Sequence, residues 1–244
     1  MIYNTFAQLY DELMEPTLYE DWLAMVLEIL PDKKGQLLEL AGGSGRLAVM
    51  LAQNGYQVTD FDLSAEMLSL ADMHAQEANV ELGLIQGDMT DLSELAVYDN
   101  ITCFADSFCY LPDETALLAT FTEVAQHLAA DGKFIFDVIT PYQTDEVYPG
   151  YMFNYNDEER AFMWQTFIDE QPHSVVHDLT FFIYNEQIDG YERINELHHE
   201  RTYSLVTYQK LLKEAGFTQV EVTADFGRQK PNETTTRWFF QCQK

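Results

Sequence analysis

Gly42, Gly43 and Gly45 put three glycines within four positions, directly after the apolar residues Leu37, Leu38, Leu40 and Ala41. A helix-forming stretch, 46–53, begins immediately behind them. This pattern predicts a buried strand, a turn of nearly bare backbone, and a helix whose N–H groups face whatever lies over the turn. Twenty-one residues after Ala41 a second strand pattern ends at Asp62, where a carboxylate can accept hydrogen bonds from both hydroxyls of a ribose. Ser64 caps an amphipathic helix over 65–78, with Met67, Leu68 and Ala71 on one face. A third strand, 80–86, runs into Gly87, Asp88 and Met89. Three successive strand ends therefore carry Gly, Asp and Asp-Met. An open parallel sheet binds its ligands across those ends.

The ordered set resembles class I S-adenosylmethionine-dependent methyltransferases. Glu39-x-Ala41-x-Gly43-x-Gly45 is similar to their acidic-x-Gly-x-Gly-x-Gly signature, with Ala41 in place of the first glycine. Val58 to Ser64 resembles their second motif, Gly87-Asp88-Met89 the third, and Asp106-Ser107-Phe108-Cys109-Tyr110-Leu111 the fourth. Cys109 stands where many relatives have Asn. Phe6-Ala7-x-x-Tyr10-Asp11-x-Leu13-Met14 resembles an N-terminal segment whose Tyr closes over the cofactor. The resemblance implies S-adenosyl-L-methionine as cofactor, with Tyr10, Ala41, Gly42, Gly43, Gly45 and Arg46 among the residues that bind it. Asp62, Leu63, Met67, Asp88, Met89 and Asp106 complete the expected shell. It also implies a doubly wound, mostly parallel seven-stranded sheet of order 3-2-1-4-5-7-6.

A dinucleotide site competes on the same residues. Gly43-Ser44-Gly45-Arg46-Leu47-Ala48 fits Gly-x-Gly-x-x-Ala, followed by an acid at the expected distance. No Tyr in the chain is followed four residues later by Lys, and NAD leaves Asp88-Met89 unexplained. A nicotinamide-dependent oxidoreductase is the lesser expectation.

Methyl transfer from a sulfonium needs positioning and exclusion of water more than it needs a base. A base is required only for a weak, protonated nucleophile. Asp106, Ser107 and Tyr110 lie where the resemblance places the methyl group and are the catalytic candidates. Each residue type also serves as an ordinary turn cap or packing residue. The sequence does not identify the acceptor.

Composition bounds the partners. The 244 residues carry 41 acidic and 13 basic side chains, a formal net charge of −28. Affinity for a polyanion comes chiefly from Lys and Arg displacing counterions, so non-specific nucleic-acid binding is disfavoured. A small-molecule acceptor is expected, with an RNA or protein methyltransferase as the alternative. Arg46 is the single Lys or Arg between Lys34 and Lys133, at the glycine turn, where a cation would hold a carboxylate. Pairing with a nearby acid explains it equally well. No apolar run reaches the ~18 residues of a membrane span. The first basic residue is Lys33, unlike a transit peptide, so a cytoplasmic location is expected. Cys103, Cys109 and Cys242 have no disulfide or metal spacing.

Three segments follow from the change of period. Residues 1–142 read as N-terminal helices and a cofactor-binding core, with a helix from Pro112 through Ala130 and a strand over 133–138. Residues 143–204 read as an inserted antiparallel β cover on the substrate side, and 205–244 as a last helix and two closing strands. Within the insert Phe162, Trp164, Thr166 and Ile168 share one face, and Val175, His177, Leu179, Phe181 and Ile183 share another. The substrate-facing side is expected to show Trp164 or its neighbours with Tyr184, Tyr191 and the histidines. Arg193 and Arg201 are candidates to pair with an anionic acceptor. His198 and His199 alternate to opposite faces and cannot share a metal.

Overall fold

The computed structural model describes residues 11, 16–31, 35–157 and 160–244. Among the described residues eleven strands form two sheets. In the first, β1 (Gln36–Leu40), β2 (Gln57–Asp62), β3 (Gly83–Gln86), β4 (Tyr98–Cys103) and β5 (Leu128–Ile139) run parallel in the order 3-2-1-4-5. The sheet continues through β11 (Arg237–Gln243), antiparallel to β5, and ends on β10 (Gln219–Thr223). Counted along the core strands alone, this is the expected order 3-2-1-4-5-7-6. Helices α1 (Pro16–Ile29), α2 (Arg46–Gln53), α3 (Ala65–Ala78), α4 (Glu114–His127) and α5 (Leu205–Glu214) cover it. The second sheet is an antiparallel meander of β6 (Met152–Asn156), β7 (Arg160–Ile168), β8 (Ser174–Asn185) and β9 (Gly190–Arg201).

The core strands are apolar on both faces because helices lie on both. Leu38, Leu40, Ile101, Phe134, Phe136 and Phe240 bury one side with α4 and α5; Leu37, Val58, Ile135 and Phe239 bury the other with Trp22 and Val26 of α1. Asp113 caps α4 by accepting from the Ala116 N–H, and Ser204 caps α5 in the same way through Thr207.

Two boundaries differ from the sequence reading. Helix α4 stops at His127 and β5 starts at Leu128, whereas periodicity carries the helix to Ala130. Leu128 pairs with Tyr98 and Lys133 with Asn100, so residues 128–133 form a bulged strand entry instead of a last helical turn. Strand β3 is shorter than 80–86, because the Val80 N–H still closes on Ala75 at the end of α3.

The second sheet corrects the two-face assignment. Phe162 pairs with Phe181, Trp164 with Leu179 and Thr166 with His177, so both strands present these residues to a single face. Phe162, Leu179, Phe181 and Ile183 make a small core there. Tyr184 pairs with Tyr191 at the opposite parity and lies on the other face.

Candidate active site

The glycine turn divides its work. A Cβ at Gly42 would lie 2.2 Å from Asp60 Oδ1, and one at Gly45 would lie 2.6 Å from the Ala71 Cβ. These two glycines let β2 and α3 close beneath the loop. Gly43, at φ 61°, has nothing within 4 Å of where a Cβ would be, so its outer side is open.

Asp62 ends β2 beside it. Its Oδ2 accepts the Gly43 N–H at 2.9 Å and its Oδ1 the Ser64 N–H at 2.8 Å. Burial raises the carboxyl's pKa, and these backbone donors hold it back. Each oxygen keeps a second lone pair for a ligand hydroxyl. A cleft of about 730 Å³ opens above, lined by Ala41, Phe61, Asp62, Leu63, Asp88, Met89, Ser107, Tyr110 and the start of α4. The residues fit an adenosine: apolar side chains for a base, and the Asp62 carboxylate with spare lone pairs for ribose hydroxyls.

Behind the loop are two buried acids. Asp60 is fully buried with neither oxygen hydrogen-bonded, and burial, then the charges of Glu39 and Asp62, push its pKa well up. Glu39 lies across from it on β1 and accepts from the Thr102 hydroxyl. Burial pushes the Glu39 carboxyl up to about 8, despite the Thr102 hydrogen bond.

Other expected residues are placed as follows. Arg46 binds Asp11 through Nε at 2.5 Å and Nη2 at 2.6 Å, and it lines a shallow hollow with Tyr19 and His74, apart from the main cleft. Ser44 donates to the same Asp11 carboxylate. Met67 gives its N–H to the Ser64 cap and does not line the cleft. Tyr10 lies outside the described residues.

Sequence similarity adds to this geometry. A family profile described as a methyltransferase domain matches residues 37–132. A Geobacillus sp. (strain WCH70) protein is 39% identical over all of this chain and all of its own length. "Putative methyltransferase YqeM" of Bacillus subtilis (strain 168) is 36% identical over all of this chain and 98% of its own. The chain belongs to the S-adenosylmethionine-dependent methyltransferases. The fold of this methyltransferase matches the crystal structure of an S-adenosylmethionine-dependent methyltransferase from Clostridium acetobutylicum ATCC 824. The TM-score is 0.85 at 28% identity, covering 99% of this chain and 98% of that one. The cofactor is S-adenosyl-L-methionine, which supplies an electrophilic methyl group on a positive sulfur. A nicotinamide reading is not carried further.

A second cavity, about 210 Å³, adjoins the cofactor cleft, and Tyr110 lines both. Its walls come from α1 (Leu18, Trp22), the turn after β4 (Ala105, Asp106), Tyr148, the inner face of the second sheet, and Arg237 of β11. Asp106 belongs here and not to the adenosine slot. It has φ 51°, gives its N–H to Asp137 at 2.8 Å and accepts from Arg237 Nη2 at 3.0 Å. Burial pushes its carboxyl up to about 7, against the pull of the Arg237 charge. Asp137 is fully buried and also accepts the Trp22 indole N–H at 2.8 Å. Ser107 donates to the Phe104 carbonyl and faces the cofactor side.

Sequence reasoning missed Glu200, Arg237, Asp137 and Trp22. Neither Arg193 nor Arg201 reaches the cavity: Arg193 pairs with Phe182 on the outer face, and Arg201 stacks on Tyr203. Tyr184 and Tyr191 are likewise outside it. His177 and His198 do line it, while His199 is turned to Asp169. Among the described residues no helix is long and apolar enough to cross a membrane.

Proposed function

We propose that the enzyme methylates a small organic molecule held in the 210 Å³ cavity between the second sheet and the strand ends. The observation that carries this reading is the junction at Tyr110. Tyr110 lines both the aromatic-walled cavity and the cofactor cleft, so an acceptor in the first would lie beside a methyl group held in the second. The small volume of the cavity and the net charge of −28 both disfavour a nucleic-acid acceptor.

In this reading residues 1–142 and 205–244 hold the cofactor and 143–204 supply the acceptor wall. Gly43 and Asp62 position the adenosine moiety, with Leu63, Asp88 and Met89 around the base. Tyr110 and Asp106 border the path of the methyl group and are the residues placed to touch the reacting atoms. Ser107 holds its turn. A cytoplasmic setting fits three buried cysteines, all free.

The test is incubation with radiolabelled S-adenosylmethionine and a bacterial extract, followed by fractionation. Label is expected in the small-molecule fraction. Label confined to RNA or protein would overturn the reading.

A further inference from the structure

The acceptor cavity holds a buried carboxylate that pairs with no Lys or Arg among the described residues. Glu200, on the inner face of β9, is 6% exposed, and its Oε2 has no hydrogen-bond partner within normal geometry. Its nearest neighbour on that side is His177 Nε2, at 3.4 Å.

His177 is oriented by its other nitrogen. Its Nδ1 lies 3.0 Å from the Trp164 indole nitrogen and 2.8 Å from the Thr166 hydroxyl. An indole N–H only donates, so Nδ1 presents its lone pair and the ring turns Nε2 toward Glu200. His177 is 3% exposed.

Arg237 is committed elsewhere. Nη2 lies 3.0 Å from Asp106 and Nη1 3.0 Å from Asp137. His198 is 2.9 Å from Glu196. Around the cavity, three carboxyls (Asp106, Asp137 and Glu200) share one guanidinium. Burial favours a protonated Glu200, but the hydrogen bond and charge of His177, the Tyr110 hydrogen bond and the Arg237 charge outweigh it and hold its pKa below the usual range. A buried anion with aromatic walls, whose neighbouring guanidinium is held by two other carboxyls, suits a cationic ligand.

Resting on the acceptor cavity proposed above, we propose that the methyl acceptor is an amine. It docks as its ammonium ion against Glu200, between the rings of Tyr148, Trp164 and Phe181. The ammonium gives one proton to the Glu200 carboxylate, which frees the nitrogen lone pair. In a desolvated pocket the charged pair and the neutral pair lie closer in energy than in water. The amine nitrogen then forms the C–N bond to the methyl carbon as the C–S bond breaks, and that electron pair stays on sulfur. The product leaves as a methylammonium and Glu200 returns its proton to solvent. One proton is released per methyl transferred, and charge balances.

The test uses the full chain saturated with S-adenosylhomocysteine and three isosteric probes: benzylamine, benzyl alcohol and benzoate. Calorimetry at neutral pH gives affinities, and Trp fluorescence reports occupancy near Trp164 and Trp22. Benzylamine is expected to bind at least about tenfold more tightly than benzyl alcohol, and benzoate more weakly than either. In Glu200→Gln the amine preference should fall to about threefold or less, with S-adenosylhomocysteine affinity unchanged, because Glu200 lies outside the cofactor cleft. Alcohol or benzoate binding as tightly as the amine to the wild-type protein overturns the amine proposal alone. Absence of saturable binding by all three probes overturns the acceptor cavity itself, and the amine proposal with it. The wild-type comparison decides the matter even if the variant fails to fold.

Discussion

Asp62 and Asp60 share one strand, and their surroundings give them opposite roles. Asp62 accepts two backbone N–H groups and keeps free lone pairs over the cleft. Asp60 is enclosed beneath Gly42 and Gly45 with both oxygens unpartnered. Hydrogen bonds to a charged group contribute roughly 1.5–3 kcal/mol each. Asp62→Ala should therefore weaken S-adenosylhomocysteine binding by about tenfold to several hundredfold, read by calorimetry. Asp60→Ala should change affinity far less; the reverse ranking would mean that the ribose is held elsewhere. Glu39 makes a prediction about stability. Its folded pKa, about 8, is raised above the ordinary 4.5, so the native state binds its proton more tightly than the unfolded chain does. Stability from this group is complete below about 4.5, declines as pH rises toward 8, and is lost above it. Glu39→Gln removes that dependence while keeping an acceptor for the Thr102 hydroxyl. Its melting temperature relative to wild type should rise between pH 5 and pH 8. The accompanying gain in relative stability is at most about 1.4 kcal/mol for each step of one in pH. A constant difference across that window would show that Glu39 is ionised in the fold.

At the scale of elements, the two cavities divide cleanly between the two sheets. The cofactor cleft has no lining residue from 143–204, whereas the smaller cavity takes Tyr148, Phe162, Trp164, His177, Leu179, Phe181, His198 and Glu200 from that segment. Replacing residues 149–200 by a flexible Gly-Ser link spares Thr202, which donates to Ile139, and Tyr203, which packs in the main core. Cofactor affinity should stay within about an order of magnitude while methyl transfer is lost, since binding energy for the acceptor is gone. Full transfer in that protein would place the acceptor elsewhere. The same division explains what can be read from the sequence. Strand ends, the glycine turn and Asp62 are local signals, set by residues near one another in the chain. The acceptor cavity is assembled across long separations: Arg237 meets Asp106 over 131 positions, and Trp22 meets Asp137 over 115. No periodicity carries such a pairing. In the insert, alternation sorts each strand's faces correctly, but only the register of β7 against β8 shows that Trp164 and His177 share one. For Arg46 the sequence leaves a cofactor carboxylate and a nearby acid as alternative partners, and does not single out Asp11.

For the whole molecule, 41 acids against 13 bases leave 28 negative charges without a possible partner in the chain. The cofactor cleft follows the same bias, with Asp62, Asp88 and Asp113 on its walls and no Lys or Arg among the described residues that line it. Such a field raises the local concentration of cations and repels anions. S-adenosylmethionine carries a sulfonium, an ammonium and a carboxylate, a net charge of about +1; S-adenosylhomocysteine lacks the sulfonium charge and is neutral overall. The field therefore favours the methylated cofactor over the spent one before any contact is made. Salt screens this preference: the Debye length falls from about 30 Å at 0.01 M to about 8 Å at 0.15 M, shorter than the molecule's own dimensions. Raising NaCl over that range should weaken S-adenosylmethionine binding severalfold more than S-adenosylhomocysteine binding, with the loss chiefly in the association rate. Parallel titrations by stopped-flow fluorescence would measure both. Equal salt slopes for the two ligands would show that the acidic surface does not act on the cofactor and serves only to keep the protein dispersed.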